Sequence, residues 1–160
     1  MAMCARSEEV VKMNNKAQIL VVDDEEVVRL GYIRTLSGEH CNVEVVTNGQ
    51  DAIQLMGTHS FDVVLLDLRM PGMDGMAVLR IIKEKWPESE VIIITGFPGV
   101  ESAKQAVTLG AYDYLAKPAG PDDVINAANG AMLHKRWALR SDQTMQRTGI
   151  QFQVSGNFAH

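Results

Sequence analysis

The sequence predicts an α/β fold: a doubly wound, five-stranded parallel sheet with helices on both faces. Three observations carry this reading. Short runs that are apolar throughout, Ile19–Val22, Val63–Leu66 and Val91–Ile94, recur along the chain and are too short for helices, which suits strands buried on both faces. Segments of helical length and spacing lie between them. Regular alternation of the two kinds of element implies parallel strands joined by right-handed crossovers.

Taken in order, the first strand is Ile19–Val22, and Val27, Leu30, Ile33 and Leu36 then step by three and mark a helix. Val43–Val46 includes Glu44, and Tyr112–Leu115 includes Asp113; strands with polar insertions fit sheet edges. Ala52, Leu55 and Met56 mark the second helix. Met76, Leu79 and Ile82 mark the third, with Asp74 placed as an N-cap. Ser102, Ala103, Ala106, Val107 and Leu109 mark the fourth. The last helix opens at Gly120-Pro121, proline suiting the first helical position, and extends to about Arg140. Gly130 within it costs about 1 kcal/mol relative to alanine. Three central and two edge strands favour the order 2-1-3-4-5, the flavodoxin-like arrangement, although edge character alone also admits other orders.

The chain has 160 residues, 46% hydrophobic and 22% charged, which suits one domain with one core. No apolar run approaches the roughly 20 residues that span a bilayer. A net charge of −5 argues against unaided binding to nucleic acid or to an anionic membrane. Met1–Lys16 lacks a signal-peptide core, and Cys4 and Cys41 form neither a disulfide framework nor a C-x-x-C pair, so a cytoplasmic protein is expected. Residues 1–16 read as a polar, mobile N-terminal extension and 17–139 as the domain. Residues 140–160 read as a tail or the start of a linker, with a period-two alternation at Ile150–Val154.

In open α/β sheets, ligands bind beyond the carboxyl ends of the strands, where the strand order reverses. Here Asp23-Asp24 follow the first strand and Asp67 follows the third. At ~4 Å and an effective dielectric near 20, each like-charged contact costs roughly 4 kcal/mol, so such a cluster holds a proton or a cation. Oxygen-only ligands favour a hard ion, Mg²⁺ above all. Thr95 and Lys117-Pro118 end the fourth and fifth strands, bringing a hydroxyl and an ammonium to the same rim. A metal, an ammonium and a hydroxyl around one carboxylate can stabilise a phosphoryl group in transfer, and the carboxylate itself can be the nucleophile.

Five ordered stretches sit at predicted strand ends: Val21-Val22-Asp23-Asp24-Glu25, Leu65-Leu66-Asp67-Leu68-Arg69-Met70-Pro71-Gly72-Met73-Asp74-Gly75, Ile94-Thr95-Gly96, Gly110-Ala111-Tyr112-Asp113-Tyr114 and Lys117-Pro118. With these, residues 17–139 resemble the receiver domain of bacterial two-component response regulators, and most closely receivers of the nitrogen-regulation type. The resemblance implies that Asp67 accepts a phosphoryl group from a sensor histidine kinase or phosphotransfer protein. It implies that Asp24, Asp67 and the Arg69 carbonyl ligate Mg²⁺, with Asp23 acting mainly through water. Thr95 would hydrogen-bond the phosphoryl group and Lys117 would pair with it, the Lys117–Pro118 bond being cis. Tyr114 would be the aromatic switch that changes the face made by helix 99–109, strand 112–115 and helix 121–139. Such a domain is a phosphoryl acceptor that assists its own phosphorylation and dephosphorylation, not a metabolic enzyme. A downstream protein or output domain would read it, and a phosphorylation-dependent dimer is compatible with it. Gly96 and Ala119 depart from the commoner alanine and phenylalanine.

Each residue alone has a plainer role: an acidic pair caps a helix, a threonine ends a strand, a lysine is a solvated charge. Their joint placement is what carries the chemistry. His40, His59, His134 and His160 show no metal spacing, and the methionines read as core filling. A flavin-binding electron carrier would need a phosphate loop where this chain has Asp23-Asp24-Glu25-Glu26. An Asp-nucleophile phosphatase would carry its nucleophile after the first strand. The roughly twenty residues beyond the domain are too few for an output domain, leaving a stand-alone receiver or the receiver of a larger transcriptional regulator.

Overall fold

A computed structural model describes residues 16–148. Residues 1–15 of the extension and the alternation at 150–154 lie outside the described residues. The elements are β1 (Ala17–Val22), α1 (Glu26–Leu36), β2 (Cys41–Val46), α2 (Gly49–Met56), β3 (Val63–Leu66), α3 (Gly75–Lys85), β4 (Glu90–Thr95), α4 (Val100–Thr108), β5 (Asp113–Ala116) and α5 (Pro121–Thr148). All pairings are parallel and the strand order is β2-β1-β3-β4-β5, as expected.

Successive side chains of a strand point to opposite faces. Leu20, Val22, Val64, Leu66, Val91 and Ile93 pack with α2, α3 and α4 through Ala52, Leu79, Ile82 and Ala106. Ile19, Val21, Val63, Leu65, Ile92 and Ile94 pack with α1 and α5 through Tyr32, Val124, Ala127 and Ala131. The three central strands are therefore covered on both sides, which is why their middle positions are apolar throughout.

Three local expectations are corrected, and a fourth, the N-cap at Asp74, holds in position without a side-chain bond. The step of three in α1 does not mark its inner face: Val27 is 82% and Leu30 47% exposed, while Tyr32 is buried and Val28 and Leu36 pack beside it. A residue advances about 100° around a helix, so three successive steps of three turn the side chain about halfway round the axis. Asp74 holds the N-cap position of α3 without a side-chain capping bond; the Gly75 N–H donates instead to the Leu68 carbonyl at 3.2 Å. The fifth strand begins at Asp113 rather than Tyr112. Helix α5 runs on to Thr148, past Arg140. Its added turns contain no glycine or proline, and the Ser141 and Thr144 hydroxyls donate back to the Trp137 and Arg140 carbonyls. Gly130 does not interrupt it; a Cβ there would lie 2.7 Å from the Tyr112 hydroxyl, so the glycine makes room for the residue that leads into β5. Among the described residues no helix is long and apolar enough to cross a membrane.

Candidate functional site

Register brings the chemistry to one rim. Val22 pairs with Leu66 and Leu66 with Ile93, so Asp23 and Asp67 are the first residues past adjacent strands. The Asp67 N–H still donates to the Val22 carbonyl at 3.0 Å, and the Lys117 N–H to the Thr95 carbonyl at 2.8 Å. Gly75 permits the tight return after Asp67, since a Cβ there would lie 2.5 Å from Leu68 Cα and 2.6 Å from the Asp67 carbonyl oxygen.

The Lys117 ammonium sits between two buried carboxylates, 2.8 Å from Asp23 Oδ2 and 3.0 Å from Asp67 Oδ2, with Glu25 Oε1 at 3.6 Å. Each aspartate's second oxygen accepts a backbone N–H: Glu25 to Asp23 Oδ1 at 2.9 Å, and Arg69 to Asp67 Oδ1 at 3.2 Å. Arg29 Nη1 donates to the Asp23 carbonyl at 2.9 Å. Asp24 is exposed, and Asp23, Asp24, Glu25 and Asp67 each present a carboxylate oxygen within 4.8 Å of the others. Thr95 is fully buried, and its hydroxyl accepts the Phe97 N–H at 3.1 Å. The Arg69 guanidinium stacks 3.8 Å from the centre of the Phe97 ring, joining the turns after β3 and β4. The Lys117–Pro118 bond is cis.

Burial raises the Asp67 pKa, more than the Lys117 ammonium and the Arg69 N–H lower it, and the Asp23 charge adds to the rise. For Lys117 burial opposes the charge, but hydrogen bonds to Asp23 and Asp67 outweigh it and the pKa rises. Tyr32 faces the same charges from α1, and burial first among the causes pushes its phenol up to about 12.

Asp23, Asp24, Asp67 and Lys117 thus converge, with the Arg69 N–H on Asp67 and with Thr95 at the end of β4, its carbonyl bonded to the Lys117 N–H. Tyr114 stands apart: its hydroxyl is 2.7 Å from Ser102 Oγ and receives the Gly99 N–H at 3.3 Å, at the start of α4. Sequence reasoning missed Glu25, whose place next to Asp23-Asp24 was a usable signal. It also missed Arg29, Phe97 and Ser102, whose roles depend on loop and helix geometry. Gly96 has open surroundings, since a Cβ there would meet only Lys117 Cδ, at 3.9 Å. An all-oxygen cluster of four carboxylates, without cysteine or histidine, fits a hard divalent cation.

The family described as response regulator receiver domain matches residues 19–129. The chain belongs to the response regulator receiver family. This receiver is 36% identical over 116 residues to the DNA-binding transcriptional regulator NtrC of Escherichia coli K12, covering 72% of this chain and 25% of that protein. It is 37% identical over 109 residues to an NtrX-like response regulator of Rickettsia bellii, covering 67% of this chain and 23% of the relative. The receiver therefore spans about a quarter of the curated relatives it matches. Among solved structures, NtrX of Brucella abortus superposes with a TM-score of 0.77 and 32% identity, over 84% of this chain and 30% of that one. A CheY-like receiver of Methanospirillum hungatei shares the fold, with a TM-score of 0.75 at 22% identity over 78% of this chain and 99% of that one. Receiver domains bind Mg²⁺ at an acidic pocket, and the described residues of this chain hold a cluster of aspartate and glutamate.

Proposed function

We propose that this receiver accepts a phosphoryl group on Asp67 and reports it through a changed surface. The observation that carries the reading is the buried Asp67 carboxylate held 3.0 Å from the Lys117 ammonium at the mouth of an acidic cluster. In the transfer, an Asp67 carboxylate oxygen attacks phosphorus while the P–N bond of the donor phosphohistidine breaks. The bonding pair leaves with the imidazole nitrogen, and an acyl phosphate remains. Lys117 pairs with the phosphoryl oxygens. Thr95, whose oxygen accepts the Phe97 N–H, retains its own hydrogen to donate to them. Asp23, Asp24, Asp67 and the Arg69 carbonyl would hold Mg²⁺, which when bound supplies charge neutralisation to those oxygens. Drawing Thr95 toward the phosphoryl group vacates space beside β4, and Tyr114 turning inward to fill it would give up its bonds to Gly99 and Ser102. That couples the site to the α4–β5–α5 face.

The donor is a sensor histidine kinase or phosphotransfer protein of the cytoplasm, and the reader a downstream protein or output domain. Beside Lys117, an apolar groove of about 620 Å³ lined by Val28, Tyr32, Phe97, Pro118 and Val124 offers the donor a seat, with Val27 and Leu30 exposed on the same helix as Val28 and Tyr32.

Incubation with Mg²⁺ and acetyl phosphate should add the mass of one phosphoryl group, labile to base and hydroxylamine, blocked by EDTA and absent in Asp67→Asn. Stable labelling of Asp67→Asn at another residue would overturn the assignment.

A further inference from the structure

At the end of the sheet opposite the carboxylate cluster, one groove is rich in cations. Helix α5 overruns the sheet there, and its flank and the start of β1 wall a groove of about 660 Å³. Lys16, Lys135, Arg136 and Arg140 line it, with Met132 and Leu139 among them. Lys135 is satisfied by Asp62 at 2.7 Å. Among the described residues, no carboxylate lies within ion-pair distance of Lys16, Arg136 or Arg140. A chain of net charge −5 thus gathers three uncompensated cations around one groove. Lys135 and Leu139 also border an adjoining depression of about 260 Å³, whose other walls include Met56, Phe61 and Trp86.

Like charges gathered in a concave site focus potential and favour an anionic partner, and arginine forks suit carboxylates in particular. The neighbouring depression suits a bulky apolar anchor. We propose that this groove binds an acidic protein segment in trans, its carboxylates pairing with Lys16, Arg136 and Arg140 and its apolar side chain entering the depression beside Phe61 and Trp86. Neither residues 1–15 nor residues 149–160 form an acidic segment. Residues 1–15 balance Glu8 and Glu9 with Arg6 and Lys12, and 149–160 contain neither aspartate nor glutamate. A peptide is favoured over nucleic acid because apolar side chains separate the cations and the rest of the protein is acidic.

The test uses the whole chain and a short fluorescent peptide of glutamates flanking a central Phe-Leu pair, followed by anisotropy at low and physiological salt. Saturable binding is expected, weakened about tenfold or more by Arg136→Glu/Arg140→Glu and by replacing the probe's apolar pair with serines. Both arginines lie on the outer part of α5 away from the core, so the fold should persist; Arg136→Gln/Arg140→Gln with a circular-dichroism check guards against a folding defect. In a Trp137→Phe background Trp86 is the remaining tryptophan, and its emission should change on binding. Asp67→Asn should bind the probe unchanged, so this result stands or falls apart from phosphoryl uptake. Equal affinity of the charge-reversed protein would overturn the proposal. So would binding of a duplex DNA in place of the peptide, or self-association abolished by the same substitutions, which would assign the groove to nucleic acid or to a second copy.

Discussion

Replacing Lys117 with methionine keeps most of the side-chain volume and deletes the charge that holds Asp23 and Asp67 together. Two contacts of 2.8 and 3.0 Å are lost. At an effective dielectric near 20 each is about 5–6 kcal/mol of gross attraction. What remains is repulsion between carboxylates whose oxygens lie within 4.8 Å, at least about 3.5 kcal/mol by the same arithmetic. Water entry and proton uptake recover part of this, so the net loss expected on removing one partner of a buried ion cluster is about 3–5 kcal/mol. That corresponds to a Tm drop of roughly 10 °C. The defect should depend on pH in a defined direction. Burial already raises the folded-state pKa of Asp67, and loss of its ammonium partner raises it further. A carboxyl with a raised folded pKa takes up its proton first in the folded state. Its protonation therefore stabilises the fold as pH falls through that pKa, and the stabilisation is lost as pH rises through it. The Lys117→Met defect should be largest near neutral pH and shrink in acid. Urea denaturation in EDTA at both pH values, with the Lys117→Met/Asp67→Asn double variant, measures it; the double variant should recover about 1–3 kcal/mol as a coupling term. A loss below about 1 kcal/mol at neutral pH, or a defect that grows on acidification, would refute the reasoning.

Three further outcomes are expected. Asp24→Ala, at an exposed position, should change metal-free stability by no more than about 0.5 kcal/mol while weakening Mg²⁺ binding in calorimetry. Unchanged affinity would remove Asp24 from the metal set. Ser102→Ala deletes the 2.7 Å partner of the Tyr114 hydroxyl. The alternative Tyr114 rotamer should gain population about fivefold for a bond of about 1 kcal/mol, visible with fluorotyrosine NMR, and an unchanged spectrum would show that Ser102 does not hold the ring. Gly130→Ala/Tyr112→Phe should melt higher than Tyr112→Phe by up to about 1 kcal/mol, whereas Gly130→Ala alone gains less because the tyrosine hydroxyl must move from its 2.7 Å approach.

Strand positions and sheet order were legible because the central strands are buried on both sides and the carboxylates come directly after them. Asp23, Asp24, Asp67, Thr95 and Lys117 were legible for the same reason: in a parallel sheet the location of a strand's end is set by register. Side-chain partners across loops were not legible. The Arg69–Phe97 stack depends on how two turns fold toward each other, and the tie from Tyr114 to Ser102 on the distance from β5 to the first turn of α4. The inner face of α1 was misread because steps of three suggest a face that a 3.6-residue turn does not keep. The last turns of α5 escaped because they are solvent-facing, and apolar periodicity reports only buried helix.

Asp23, Asp67, Thr95 and Lys117 stand at the ends of four different strands, and the bond from Lys117 to Asp67 closes 50 residues of chain. No short fragment of this receiver can assemble it. Contacts of such sequence separation form only when the long-range pairing of the sheet forms. The ammonium, moreover, is delivered by β5, a four-residue strand at the sheet's outer edge. Edge strands exchange and fray with lower opening free energies than the centre. Under the proposed function, competence to take up phosphate would therefore report on the integrity of the outermost strand: a chain whose core is intact but whose edge has opened would retain its carboxylates and lack the ammonium that pairs with the phosphoryl group. Ligands that cover β5 would raise the fraction of molecules able to react without touching the reacting atoms.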